Sequence, residues 1–384
     1  MKIIYSFNKT GFEADYWTRE IAAASSGAFT FVPFNHGEFL DLRFYLRAQL
    51  LDNAYYEQHP YLLRLYDELK RRIRSIGADV LLVDTGQPYH PEFLRTLDVY
   101  KVLRTTDGPM TAYDRDFAYV HAFDHVLYHS PAYSRDMGME EKLYYVGARR
   151  ADFWPLALFD AMHETSKTEE TILAHQRDID VIFVGGMYPN KMGLLARVKK
   201  AFGKHFVMRG LTNWRRNLYF NARFGFPGWV RPIRFEDYVP LYQRSKIGIN
   251  IHNRGKYTVG SYRLFDLPGN GVMQISDGDE YLSSFYDVPA EIETYSSPDD
   301  LIDKIKHYVA NDAARDRIAL AGFQRVKREH RFAISAVRAA GLIARGMKQP
   351  AARDRVAATR DSRNGALSPD HEPASVSARS ASTP

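Results

Sequence analysis

Residues 258–281, TVGSYRLFDLPGNGVMQISDGDEY, decide the reading of the fold. They predict a helix that opens on small residues, carries Arg263 and Asp266 in its first turns and stops at Gly269 and Gly271. A short buried strand over 272–275 follows. Glycine ends helices because it adopts the left-handed conformation at no steric cost. The start of such a helix offers unpaired N–H groups and a partial positive charge to a phosphate. A carboxylate one turn in, here Asp266, suits the hydroxyls of a ribose.

The same alternation runs outward in both directions. Upstream, DIDVIFVGG (178–186) is a strand ending in paired glycines, a helix is predicted over 191–203, and strands over 205–210 and 245–252. Downstream, Ser297 and Pro298 mark the N-cap and first position of a helix, with a second to follow. The first half repeats the pattern, with strands at 2–7, 29–34, 78–85, 99–108 and 124–130, and a last one at 142–147. A helix begins near Ala14, and one or two amphipathic helices fill 38–75 and close at Gly77. Near-continuous apolar runs such as ADVLLVDT mark parallel strands buried on both faces. Strand–helix alternation predicts an α/β fold of two doubly wound domains facing across a cleft. The expected domains are 1–150 and 178–330, with a connector at 151–177, a C-terminal helix at 331–346 and a disordered tail at 347–384.

Composition agrees. A chain of 384 residues exceeds one ordinary core, so two domains are expected. No apolar run approaches a membrane span, and MKIIYSFNK reads as a strand rather than a secretory leader, which predicts a cytoplasmic protein. With no cysteine, the described chemistry excludes disulfides, thiolate catalysis and Cys-based zinc sites. A net charge of +6 suits anionic ligands or an anionic membrane surface; no nucleic-acid-binding motif is present. His121, His125 and His129 recur every four residues, but 124–130 reads as a strand, so they predict no metal site.

Ligands of doubly wound sheets bind beyond the C-terminal strand ends, so residues there are the candidates. Gly185 and Gly186 let a ligand approach the backbone, and Lys191 opens the next helix, where an ammonium meets phosphate. Arg209 and Gly210 end another strand, and His252 and Asn253 a third. In the first domain, His36, Asp84 and Asp107 are candidate bases or acceptor contacts. The segment 211–235 interleaves aromatics with five arginines, which suits stacking on sugars or bases, a lid, or an interfacial membrane contact.

Four ordered segments in the second half resemble the CgeB-like glycosyltransferase group: DVIFVGGMYPNK, YVPLYQRSKIGINIH, SYRLFDLPGNGVMQISD and the stretch from YSSPDD to REHRF. TTDGP, FDHVLYHSPAYSRDMG and Trp154-Pro155 extend the resemblance across 1–345. It implies a GT-B architecture of two Rossmann-like domains, with the nucleotide-sugar donor on the C-terminal domain and the acceptor on the N-terminal one. It implies no cofactor and no bound metal. Gly185, Gly186 and Lys191 would then face the donor diphosphate; Arg209, Gly210 and Asn253 at strand ends, and Ser261 and Arg263 at the helix start, are donor-site candidates by position. Asp266 would take the ribose-binding role of the second acidic residue in the E-x7-E pattern. Two departures stand out: Thr258 occupies the place of the first Glu, and Gly186 that of an Arg five residues before the Lys.

The reaction expected is sugar transfer to an acceptor hydroxyl on a sugar, glycolipid or other molecule. The departing diphosphate would be stabilised by the helix start near Ser261 together with Arg263 and Lys191. Inversion would require a base, for which Asp107 and His36 are the candidates. The alternatives are a nucleotide-sugar epimerase or hydrolase of the same fold, and a non-catalytic nucleotide- or sugar-binding protein. A peripheral membrane contact is a further expectation.

Overall fold

The computed structural model describes residues 1–40, 60–85, 88–105, 116–131, 137–162, 167–174, 176–210, 212–252, 261–278 and 281–349. Two parallel sheets organise them. The first contains β1 (Lys2–Phe7), β2 (Thr30–Asn35), β3 (Val80–Asp84), β4 (Tyr100–Thr105), β5 (His125–Tyr128) and β6 (Ala151–Phe153), in the order β2-β1-β3-β4-β5-β6. The second contains β7 (Ile179–Val184), β8 (Phe206–Arg209), β9 (Ser245–Asn250), β10 (Met273–Asp277) and β11 (Glu293–Tyr295), in the order β11-β10-β9-β7-β8. The central strands are buried along nearly all of their length, as their predominantly apolar sequences dictate.

The helices of the first half are α1 (Phe12–Ala23), α2 (Pro60–Ile76), α3 (Pro91–Arg95) and α4 (Met139–Tyr145). Those of the second are α5 (Pro189–Phe202), α6 (Trp214–Phe224), α7 (Tyr238–Gln243), α8 (Arg263–Gly269), α9 (Pro298–Ala310), α10 (Asp312–Arg325) and α11 (Phe332–Lys348). Ser297 caps α9 by accepting a hydrogen bond from the Asp300 N–H, and Pro298 takes the first helical position.

Three expectations need correction. The strand expected at 142–147 is part of α4; Met139 and Leu143, one turn apart, supply its buried face, and Glu140 and Glu141 its first-turn acids. The last strand of the first sheet is β6, inside the segment expected to be a connector. The segment 211–235, which shows no clear period, contains α6, capped by the Asn213 side chain and ended by left-handed Gly225. Much of the 38–75 reading and all of 350–384 lie outside the described residues.

The C-terminal helix α11 returns to the first sheet. Its Ala336, Ala339, Ala340 and Ile343 share one core with Ile3, Tyr5, Leu82 and Leu127. The small residues on this face let the helix approach closely. Trp154, just past β6, donates from Nε1 to the Ser335 Oγ at 2.8 Å and carries the Arg104 guanidinium 4.1 Å above its ring. Arg104 in turn donates to the Tyr5 hydroxyl at 2.5 Å, and that hydroxyl donates to Asp84 Oδ1 at 3.3 Å. This charged cluster is buried, with Arg104 only 1% exposed. Removing one partner of a buried pair leaves the other charge uncompensated. Arg104→Met is therefore expected to lower unfolding stability by about 3–5 kcal/mol, read from the urea midpoint. A loss below about 1 kcal/mol would show that the cluster is solvated.

Candidate functional site

The connection from β7 to β8 runs to one side of β7, and β9 lies on its other side. In doubly wound sheets this is the switch point, so the crevice for a ligand is expected between the C-terminal ends of β7 and β9. The side chains gathered there come from four short segments: the turn after β7, the start of α5, the end of β9 and the start of α8.

Arg263 closes the bottom of this crevice. It donates from Nη1 to the Val184 carbonyl at 2.8 Å, from Nη2 to the Ile251 carbonyl at 3.1 Å and from Nε to Asn250 Oδ1 at 3.3 Å. The guanidinium thus ties β7 to β9 where their ladder ends. Asn250 extends the tie to β10 by donating to the Ser276 Oγ at 3.2 Å. Room for the guanidinium exists because residue 185 is glycine. A Cβ there would overlap Arg263 Nη1, and φ is +153°, a conformation nearly confined to glycine. Gly210 is required for a related reason: a Cβ on it would overlap the Gly185 carbonyl oxygen. Gly186 leaves space for the Tyr188 ring.

Lys191 sits in the first turn of α5, behind Pro189 at the first helical position. Its side chain is 1% exposed, and Nζ makes no hydrogen bond among the described residues. The ammonium instead lies 5.7 Å from the ring centres of both Phe183 and Tyr188. Phe183 also carries Arg263 at 5.1 Å, so two cations converge on one ring. Burial, reinforced by Arg263, pushes the Lys191 pKa down to about 7, against a smaller upward pull from Asp277. Two cations with one unsatisfied ammonium, at a helix start beside a glycine turn, form a strong anion attractor.

On the other wall, His252 and Asp277 make a pair. The His252 Nδ1 is 2.6 Å from Asp277 Oδ1, and its backbone N–H donates to Asp277 Oδ2 at 3.0 Å. Burial raises the Asp277 pKa, but the hydrogen bonds and charge of His252 outweigh it and hold the carboxylate low. The second ring nitrogen of His252 is buried without a partner among the described residues. The pairing depends on the β9–β10 register and was not legible in the sequence. Its only signal was an acid ending the apolar run of β10.

Asp266 lies one turn after Arg263 and is 3% exposed. Its Oδ1 has no partner among the described residues, and burial pushes its pKa well up despite the nearby Arg263. Ser261 is beside the start of α8, where its hydroxyl accepts from the Arg263 N–H at 3.3 Å. Since α8 has only seven residues, the longer α5 supplies the better helix start for an anion.

Other sequence candidates are placed differently. Arg209 donates to the carbonyl of its own neighbour Met208, and its charged neighbours are Arg231 and Arg244. It also perturbs Lys199, which is bonded to the Phe206 carbonyl at the opposite end of β8. Arg209 thus runs back along the edge strand, away from the crevice. Arg263 spends three of its donors on strand ends, so it positions the site more than it grips a ligand. His36 is 1% exposed, with Nδ1 3.0 Å from the Ser6 Oγ, and burial pushes its pKa down to about 3. A base that weak gains little by accepting a proton near neutrality. Asp107, Asn253 and Thr258 lie outside the described residues. His125 pairs with Asp152 at 2.8 Å and His129 with the Thr105 carbonyl at 2.9 Å; among the described residues no group of three His, Asp or Glu is arranged to hold a metal.

Two Rossmann-like α/β domains with a crevice at the switch point of the second sheet define the class shared with GT-B glycosyltransferases. Residues 192–341, most of the second half, match the family described as glycosyl transferase-like. The fold is similar to sucrose-phosphate synthase from Thermosynechococcus elongatus, with a TM-score of 0.58 and 11% identity over 90% of this chain and 98% of that one. It is also similar to Anabaena Alr3699/HepE in complex with UDP-glucose, with a TM-score of 0.57, 11% identity and coverage of 90% and 99%. A glycosyltransferase from Rickettsia africae gives a TM-score of 0.52 and 10% identity over 91% and 99% of the two chains. No curated protein matches.

Proposed function

We propose that this protein is a CgeB-like glycosyltransferase that moves a hexose from a nucleotide-sugar donor to an acceptor hydroxyl without a bound metal. The observation that carries the reading is Lys191: a buried ammonium with no hydrogen-bond partner among the described residues, at the start of α5 and beside Arg263. A diphosphate is the group whose charge and oxygens would satisfy it. The glycosyl transferase-like match over 192–341 and the UDP-glucose complex of Alr3699/HepE, a protein of the same fold, support a nucleotide sugar as the source of that diphosphate.

Each residue then has a role. Lys191, the α5 N–H groups and the Gly185–Gly186 turn hold the diphosphate. Asp266 accepts hydrogen bonds from the ribose, which would satisfy its unpartnered oxygen. Arg263 and Gly210 position the turn, and His252, fixed by Asp277, presents its second ring nitrogen to the donor. In the reaction, a bond forms between the acceptor oxygen and the anomeric carbon as the bond from that carbon to the phosphate oxygen breaks. The electron pair leaves on the diphosphate, where Lys191 meets the growing charge. The acceptor proton passes to a base if the reaction inverts, for which Asp107 is the remaining candidate. If it retains configuration, the proton passes to the departing phosphate oxygen.

Donor turnover with and without sugar acceptors tests this. Acceptor-dependent release of nucleoside diphosphate is expected. Release independent of acceptor would mean a hydrolase, an isomerised donor an epimerase, and binding without turnover a binding protein; each would displace the proposal.

The lysine also predicts a pH dependence. With its pKa lowered to about 7, Lys191 is charged below that pH and mostly neutral above it. A bound diphosphate favours the charged form, so binding takes up a proton above neutrality. Affinity for the nucleoside diphosphate is expected to weaken about tenfold per pH unit above about 7, measured by calorimetry. A flat profile between about pH 6 and pH 9 would contradict this assignment.

A further inference from the structure

The surface of α6 is unusual for a helix bordering a soluble core. Its inner face is made by Asn217 and Phe220. Its outer face carries Trp214, Leu218 and Tyr219, which are 59%, 51% and 47% exposed. At about 100° per residue, these three and Ala222 fall within one arc of the helix; Arg215 lies inside that arc, over the Trp214 ring at 5.2 Å, and Arg223 and Arg216 border it beyond Tyr219. Trp229, in the turn that follows, is 58% exposed.

The turn is pinned to the helix. Asn221 donates to the carbonyls of Phe226 at 2.6 Å and Gly228 at 3.0 Å, and Asn217 brackets Val230 through both its amide groups. Trp229 is therefore held as part of the same surface as α6. The segment 212–234 has five arginines and no acid, and Lys200 reaches the Gly225 cap from α5. Arg215, Arg216, Arg223 and Arg231 are exposed and make no ion pair among the described residues; only Arg234 is neutralised locally, by Asp237.

We propose that this face is a docking surface for an anionic lipid bilayer. A face that combines tryptophan, leucine and tyrosine with arginines that make no ion pair among the described residues matches the two layers of a membrane interface. The rings enter the headgroup–acyl boundary, while the guanidinium groups stay with the lipid phosphates. Nucleic acid would engage the arginines but leaves Leu218 and the tryptophans exposed. Among the described residues no helix is long and apolar enough to cross a membrane, so the attachment is to one leaflet and reversible. The surface does not depend on the donor-site reading, and it would bring the second domain to a lipid-linked acceptor.

The chain contains its own probe. Of its four tryptophans, Trp17 and Trp154 are buried in the core, and the other two lie on this face. The full chain is mixed with vesicles of phosphatidylcholine alone and of phosphatidylcholine containing one third phosphatidylglycerol. Binding is followed by co-sedimentation and by tryptophan emission. Expected are binding at least about tenfold tighter to the anionic vesicles, weakening with salt, and a blue shift of emission. The double variant Trp214→Ala/Trp229→Ala should lose the blue shift. Arg215→Glu/Arg216→Glu/Arg223→Glu should lose the preference for anionic lipid, with both variants keeping the parent melting temperature. No binding to anionic vesicles, or binding that neither variant alters, would overturn the proposal. So would binding to heparin as tight as to vesicles without an emission shift, or a wild-type dimer that the tryptophan variant converts to monomer.

Discussion

Replacing Lys191 with methionine is expected to lower donor turnover by about 10²–10³-fold and to leave the protein at least as stable as before. The two halves of this result have one cause. The ammonium is buried without a hydrogen-bond partner among the described residues, next to the Arg263 cation, so in the free protein it is a liability. Methionine fills a similar volume and contacts Phe183 and Tyr188 through a polarizable thioether. On the proposed reading the charge becomes favourable once a diphosphate is bound, and most of all as it departs, because it then meets charge that develops in a water-poor site. A lysine kept for structure would behave in the opposite way, losing stability and keeping activity. Urea unfolding and steady-state release of nucleoside diphosphate separate the two.

Gly185→Ala is expected to cost about 2–4 kcal/mol of stability and to abolish donor binding together. The methyl group meets the guanidinium of Arg263, and the backbone is held at φ +153°, where a side chain is strained. Relief requires Arg263 to leave the Val184 and Ile251 carbonyls, which are at the closed end of the crevice. Hydrogen bonds from a charged donor contribute about 1.5–3 kcal/mol each, so partial loss accounts for the range. The same movement shifts the turn facing Lys191, which links the stability loss to the loss of ligand. A variant with unchanged melting and unchanged nucleotide affinity would show that the turn has slack.

The sheets were legible because buried parallel strands need apolar residues on both faces. The run that became β3 is apolar up to its final Asp84, and β7 closes on the apolar VIFV; β9 and β10 carry polar residues such as Lys246 and Gln274 among their apolar ones. The segment that became α4 misled because Leu143, Tyr144, Tyr145 and Val146 form an apolar cluster resembling a strand. Its helical signal is the four-residue spacing of Met139 and Leu143, which is short and easily overlooked. In α6 the aromatics cover both faces, so no period emerges until the structure shows which side is packed.

The site divides along the same line. Gly185, Gly186, Gly210 and Lys191 could be picked out because a strand end is a position in sequence. What Arg263 and Arg209 do could not, since it depends on which carbonyls the strand order brings within reach. Arg263 meets the ends of β7 and β9 because these strands are neighbours although far apart in sequence. Arg209 is on the edge strand and turns the other way. The His252–Asp277 pair likewise exists only through the β9–β10 pairing.

A nucleotide-sugar diphosphate is proposed to sit between the C-terminal ends of β7 and β9. Thermal stabilisation by a panel of nucleoside diphosphates and nucleotide sugars, on the wild type and on Lys191→Met and Asp266→Ala, tests it most directly. A clear rise in melting temperature with one nucleotide, strongly reduced in both variants, is expected. No shift with any nucleotide, or a shift that both variants retain in full, would contradict it.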